Sequence, residues 1–297
     1  MLSTALLTIA LLGTAANAVG ATGTTWQAVF QGDKGAAGWV SAVVATARDE
    51  FFVSGGWGVT RSTSGRVERR DTPGHAIFGL VDANPDGIFA LGAGEFVLHF
   101  DGKAWVEEHS GAAAPPRTKS ADTLLYSAFQ TCVDPGIIAF GPKLILERER
   151  GPSWRGVSGA ERERLWGLVR GWASLGAARP SRCDAGSWFW LRKGVAWSTC
   201  QDGRAFMSDC GKLTPGASKP AKCPILSAAA FANGRVYASC ANGTLWEVTP
   251  DAWRALSPPR GAGRDLGSVS VTGDCIFVAG ARTVWRKCGL TQSQSLF

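Results

Sequence analysis

Asp82, Asn84 and Asp86 alternate along DANPDG (82–87) and run into Gly87. A hard cation such as calcium collects several oxygen ligands, and alternating carboxylates around a glycine turn supply the first of them. The ninth position, where a further oxygen is wanted, is Ala90. N-P-D-G is also a favourable turn in its own right, because Pro fixes φ and Gly accepts a positive one. Calcium at Asp82, Asn84 and Asp86 is therefore one expectation and a plain turn the other. No other cofactor is implied. The carboxylate pairs Asp82/Asp86 and Glu107/Glu108 otherwise read as surface charge.

Eight cysteines stand at 132, 183, 200, 210, 223, 240, 275 and 288. An even count behind an export signal points to disulfides. Zinc fits poorly: there is no C-x-x-C pair, and His75, His99 and His109 all precede the first cysteine. Signatures of catalysis are missing as well. There is no G-x-S-x-G elbow, H-E-x-x-H, Walker A loop or G-x-G-x-x-G. A sialidase needs a tyrosine nucleophile among clustered arginines, and the only tyrosines are Tyr126 and Tyr237. The sequence leads to the expectation of a chain that is not an enzyme.

The elements that position these residues are repeats. GIFALGAGEFVLHFDGKAW from Gly87 aligns without a gap on GIIAFGPKLILERERGPSW from Gly136. GVAWSTCQDGRAFMSDCGKL (Gly194) and GRVYASCANGTLWEVTPDAW (Gly234) share a second phase, with Cys200 and Cys240 in equivalent places. DEFFVSGGWGVTRSTSGRV from Asp49 is a degenerate copy, and GDCIFVAGARTVWRKCG from Gly273 is one that stops short. Alternating apolar residues broken by Gly, Asn, Asp or Pro turns make each copy three short antiparallel strands. Another apolar run precedes each copy: Trp39–Val44, Ala76–Val81, Leu124–Phe129, Leu165–Val169, Ile225–Phe231 and Val269–Val271.

Four strands repeated six times predict an all-β, six-bladed β-propeller with four-stranded antiparallel blades. Two β-sandwich domains are the alternative. The sixth copy lacks its outer strand, and TTWQAVFQG (24–32) near the N-terminus matches the missing piece. The last blade is thus expected to be closed by the N-terminal strand, which removes an exposed edge.

The repeats, with DGKAW at 101–105, resemble secreted bacterial β-propellers related to BNR (Asp-box) and photosystem assembly-factor (Ycf48-like) proteins. The resemblance spans nearly the whole chain, although HFDGKAW departs from the Asp-box pattern. It implies a binding or scaffold role.

Within the propeller, Trp57 falls in the turn between second and third strands, with Glu95, Lys143, Asp202 and Asn242 as its equivalents. This mixed aromatic and polar rim is the expected ligand-binding site. Trp105, Trp154 and Trp253 recur at one repeat position and read as packing. Residues 172–187, with Trp172, Arg179 and Arg182, read as an insertion within a blade. Cys275 begins a second strand and Cys288 ends the third, so antiparallel pairing joins them. Cys200–Cys240 would staple adjacent blades, Cys210–Cys223 would close a local loop, and Cys132–Cys183 would remain.

Residues 1–18 carry no charge, hold an apolar stretch and end in Ala16-Asn17-Ala18, the pattern of a cleaved signal peptide. The expected organisation is a signal peptide (1–18), one propeller domain (19–290) and a tail (291–297), secreted or periplasmic. No other stretch is apolar enough to suggest a transmembrane segment. The formal net charge of +7 is scattered along the chain, which favours a protein or acidic glycan of the envelope over nucleic acid. A monomer is expected. Functionally this predicts a protein- or glycan-binding scaffold. The alternative is a carbohydrate-active hydrolase or lyase with its site at the channel mouth.

Overall fold

The computed structural model describes residues 25–290 except 35–37, 74, 84–85, 111–126, 131–136, 141–144, 149–151, 164–186, 193–194, 200–204, 210–211, 219–224, 231–234, 250 and 264–265. Those residues form an all-β array of four-stranded antiparallel sheets. The first sheet is β2 (Val40–Ala47), β3 (Glu50–Gly55), β4 (Gly58–Thr63) and β5 (Arg66–Asp71). The second is β6 (Ile77–Asp82), β7 (Ile88–Gly92), β8 (Val97–Phe100) and β9 (Trp105–His109). The third is β10 (Ser127–Gln130), β11 (Ile137–Phe140), β12 (Ile145–Arg148) and β13 (Trp154–Gly156). The fourth is β14 (Ser187–Arg192), β15 (Val195–Thr199), β16 (Ala205–Asp209) and β17 (Lys212–Gly216). The fifth is β18 (Ile225–Ala230), β19 (Val236–Cys240), β20 (Leu245–Val248) and β21 (Trp253–Leu256). The last holds β22 (Leu266–Thr272), β23 (Cys275–Gly280) and β24 (Thr283–Lys287), and β1 (Gln27–Gln31) is its outer strand. The N-terminal segment therefore does occupy the place the sixth copy leaves open.

One strand departs from the sequence reading. The first strand of the fourth sheet is Ser187–Arg192, SWFWLR, paired with β15. Leu165–Val169, the run expected there, lies outside the described residues. Only two residues separate β14 from β15 in sequence, and the aromatic run SWFWLR has at least as strong a strand propensity. The stretch 172–187, all but its last residue Ser187, consequently precedes this sheet in sequence instead of interrupting it.

Packing between sheets is apolar on both faces. Phe52, Ile77, Ile88 and Leu98 join the first sheet to the second. Phe89, Leu91, Ile137 and Leu146 join the second to the third. Val43, Phe51, Val53 and Phe277 join the first to the last. Fully burying a side chain of this size contributes about 1.5–3 kcal/mol, so the seams carry most of the stability.

Two recurring devices reinforce them. On the inner strands, serine hydroxyls bond the backbone of the next sheet. Ser227 Oγ accepts from Val269 N at 3.1 Å, Ser268 Oγ from Val43 N at 3.1 Å and Ser270 Oγ from Ala45 N at 3.0 Å. On the outer strands, an indole N–H bonds the preceding sheet. Trp26 donates to Ser257 O at 2.8 Å, Trp154 to Glu108 Oε2 at 2.9 Å and Trp253 to Ala217 O at 2.9 Å. The repeated tryptophan is thus a packing residue that also latches neighbouring sheets.

Candidate functional site

Each first strand starts beside the end of its second strand, so second-to-third turns and sheet-to-sheet crossovers share one face. At that end four of the inner strands, β2, β6, β18 and β22, carry an extra residue. Ser41 is left over between the pairs Val40↔Gly55 and Ala42↔Ser54, and Phe78 between Ile77↔Gly92 and Gly79↔Leu91. Leu226 and Gly267 are left over in the same way in β18 and β22. A bulge takes one residue out of the ladder and re-aims its side chain. Leu226 is 47% exposed as a result. Phe78 is half-buried and meets Trp39 with 5.5 Å between ring centroids. Ser41 donates to Ile77 O at 2.6 Å and accepts from Ser54 Oγ at 2.8 Å. The crossover face therefore presents apolar side chains beside the inner strands. A signal for it stands in the sequence, though the repeat reading missed it. VSAV, IFGL, ILSA and LGSV all put a small residue two places after a buried aliphatic, which breaks strict alternation.

The same face carries titratable groups on the second sheet. Gly94 and Glu95 both take positive φ, 76° and 58°. That is the tight hairpin geometry in which glycine is the ordinary second residue. Holding a glutamate there costs on the order of 1 kcal/mol. Glu95 Oε2 lies 3.5 Å from His109 Nε2. His75 stacks on Phe96 at 4.3 Å and donates from Nδ1 to Ala93 O at 2.9 Å. A carboxylate beside an imidazole can move a proton to or from a bound group. The three groups do not form a metal site. Among the described residues the one set of three metal-type ligands is Asp274, Cys275 and Cys288, and its two cysteines are joined in a disulfide.

The expected rim residues divide. Trp57 is a correction: it is 8% exposed, packs in the core between first and last sheets and lies 6.0 Å from the Phe30 ring. Its indole N–H donates to Thr60 Oγ1 at 3.2 Å, so no face remains for a ligand. The large ring fills the gap under β1, a role the GGWG turn does not announce. Asn242 is exposed, but its Oδ1 accepts from Thr244 N and Thr244 Oγ1, which makes it a turn residue. Lys143 and Asp202 lie outside the described residues. Among the described rim residues, Glu95 alone keeps the expected place with a chemically useful neighbour.

The cation loop folds as a turn. Ala83 N bonds Gly87 O, Asp86 N bonds Ala83 O, and His99 Nε2 lies 2.5 Å from Asp86 O. Asp82 and Asp86 belong to no set of three metal-type side chains, Ala90 is wholly buried in β7, and Asn84 lies outside the described residues. Gly87 has φ 95°, and a Cβ there would sit 2.3 Å from Phe100 O, so the glycine serves the turn.

Cys275 and Cys288 are bonded as the strand pairing predicts. Cys240 is also disulfide-bonded. Its partner is one of Cys132, Cys183, Cys200, Cys210 and Cys223, all of which lie outside the described residues.

A second correction concerns Glu108. Val97 pairs with His109 and Leu98 with Glu107, which leaves Glu108 as a bulge that turns inward. Its side chain is 3% exposed. It accepts from Arg148 Nε and Nη2 at 3.0 and 2.7 Å, from Trp154 Nε1 at 2.9 Å and from His99 Nδ1 at 2.9 Å. Two oxygens with four donors are fully occupied, and the group is a clamp between the second and third sheets. Glu247 is a comparable buried carboxylate within the fifth sheet, bonded by Tyr237 Oη at 3.0 Å, Arg235 Nη1 at 3.0 Å and Arg254 Nε at 2.6 Å. Burial first, and then the Glu247 charge, push the Tyr237 phenol up to about 12. At Glu50 burial works against ionisation, but bonds from Arg61 and Thr46 outweigh it and hold the carboxyl below its usual range.

Among solved structures the fold is similar to that of a gluconolactonase-family protein, at 11% identity over 90% of this chain and 93% of the other, with a TM-score of 0.54. It is also similar to Ycf48 bound to D1 peptide, at 13% identity over 89% and 96%, with a TM-score of 0.50. Virginiamycin B lyase from Staphylococcus aureus shares 9% identity over 86% and 82%, with a TM-score of 0.49. No family model and no curated relative matches the sequence. The chain thus has the fold of β-propellers, Ycf48 among them; the likeness to Asp-box repeats rests on sequence alone. The comparison overturns the expectation that the chain is not an enzyme, because a protein named as a gluconolactonase shares this fold. Local catalytic signatures are a poor guide here, since a propeller face gathers residues from separate sheets.

Proposed function

We propose that the chain is an exported six-bladed propeller that binds a partner protein across its crossover face. The observation that carries this reading is the set of apolar side chains left partly uncovered by the inner-strand bulges: Trp39 against Phe78, and Leu226 at 47% exposure. An extended segment of a partner offers the apolar groups to cover them and the backbone to bond between them. Ycf48, similar in fold, has been solved bound to a peptide. Export, with residues 1–18 removed, fits the disulfide at Cys275–Cys288.

The test is capture from an envelope extract by the full chain and by Phe78→Ser, Leu226→Ser and Val106→Ser variants. Val106 is 49% exposed on the outer strand β9 and serves as the control. Loss of one captured protein with the first two variants and not with the third supports the reading. Equal capture by all four proteins contradicts it.

A second reading, catalysis on the same face, is favoured by the Glu95–His109 contact. A lactone or glycan turnover activity lost in Glu95→Gln and His109→Asn, with partner capture retained, would select it.

A further inference from the structure

The outer strands differ in how their free edges are guarded. β9 carries the Glu108 bulge, and β1 carries one between Ala28 and Phe30. β13 has three residues, β21 has four, and β17 contains Pro215. Short length, bulges and proline all hinder a further strand from pairing. β5 has none of these. It runs six residues, RVERRD, pairs with β4 without a register shift and is exposed at every position, Val67 by 58%. Charge is the one guard left to it.

The ladder fixes which backbone groups of β5 are free. Thr72 N bonds Trp57 O, one step beyond the pair Gly58↔Asp71. Arg66, Glu68 and Arg70 therefore turn their N–H and C=O towards β4, while Val67, Arg69 and Asp71 turn theirs to the open edge. Two copies meeting there about a two-fold axis run antiparallel. Opposite residues must share a face of the sheet, so the axis has to pass through a residue and not between two. An axis at Glu68 opposes Glu68 to itself and Arg66 to Arg70. An axis at Arg70 opposes two arginines that have no acidic partner among the described residues. An axis at Arg69 sets each Glu68 against the other copy's Arg70, at the non-bonded pair where Cα atoms come to about 4.5 Å and opposite charges attract. Val67, Arg69 and Asp71 then bond Asp71, Arg69 and Val67 of the other copy. Arg69 faces itself, but Asp71 at 2.5 Å and Asp33 at 3.0 Å already offset its charge.

We propose that the open edge of β5 is the contact through which two copies of this chain associate, their strands pairing antiparallel about a two-fold axis at Arg69. Two four-stranded sheets become one continuous sheet. The charges that would repel an unrelated strand match those of a second β5. So short an edge buries little apolar surface, which makes the dimer weak and dependent on concentration. The monomer expected from the sequence is its dilute form.

The experiment sizes the full chain by sedimentation equilibrium over a range of concentrations. Arg69→Pro removes the N–H at the axis and leaves the bonds to β4 in place. It should raise the dimer dissociation constant at least about tenfold, which corresponds to about 1.4 kcal/mol. Glu68→Arg and Arg70→Glu should each weaken the dimer as much, by opposing like charges. Mixed in equal amounts, those two variants should associate with each other about as well as the unaltered chain does with itself, because each Arg then faces a Glu. A chain that stays monomeric at every concentration overturns the proposal. So does a dimer that survives all three substitutions, or a mixture that associates no better than its components. Should Arg69→Pro fail to fold, the mixture decides, since Glu68 and Arg70 are exposed.

Discussion

The seam between the last and first sheets and the seam between the second and third are built from different chemistry. The first is apolar and repetitive: Phe51 meets Phe277 at 5.5 Å, and Ser268 and Ser270 each accept one backbone N–H. The second adds a buried carboxylate, Glu108, with four donors from three side chains. Dispersion and burial spread over many atoms, so the apolar seam forgives any change that keeps volume. A buried ion pair concentrates its energy in a few bonds, and removing one partner leaves the other charged and unpaired. The same blade-to-blade packing is thus tolerant at one place and brittle at another.

The largest predicted effect lies on the brittle seam. Glu108→Ala should destabilise the chain by about 3–5 kcal/mol in urea unfolding. Arg148→Met should also be costly, and the double variant should cost clearly less than the sum of the two. Additive costs would mean that the clamp is not a unit. On the tolerant seam, Phe277→Ala should cost about 3–5 kcal/mol, whereas Phe277→Leu should cost less than about 1.5 kcal/mol. An equal loss from both would erase the contrast between seams. Ser268→Ala and Ser270→Ala should each cost about 1 kcal/mol and add.

The remaining effect appears only in alkali. The folded chain holds the Tyr237 proton to about 12, against an ordinary value of 10.0. An unfolded tyrosine releases its proton first, so stability is full below the lower value and declines as pH rises toward the higher. Phenolate absorbance should show this tyrosine ionising late in the folded chain and early in urea. Simultaneous ionisation in both would contradict the burial argument.

The sequence carried the strand pattern, because Gly, Asn and Asp turns cut it into short alternating runs. It carried the Cys275–Cys288 bond, because both residues flank one hairpin. The repeat reading missed the bulges, for which the only signal is a small residue two places after an aliphatic on the inner strands. An extra residue leaves composition and spacing almost unchanged, yet it turned Glu108 from expected surface charge into a buried clamp. It also uncovered Phe78 and Leu226, which no rim reading had named. Trp57 failed for the opposite reason: a glycine-flanked tryptophan reads as exposed, but Phe30 of β1 packs against it, with 6.0 Å between ring centroids. The fourth sheet was misread because two apolar runs competed for one strand, and only pairing with β15 decides between them.

Closure of the last sheet by the first strand is the claim on which the rest depends. Amide hydrogen exchange in the chain and in a Trp26→Ala/Phe30→Ala variant tests it most directly. The account predicts faster exchange in β24 and β23, more than 240 positions away in sequence, with β7 and β8 unchanged. Unchanged protection of β24, or an equal loss in every sheet, would contradict it.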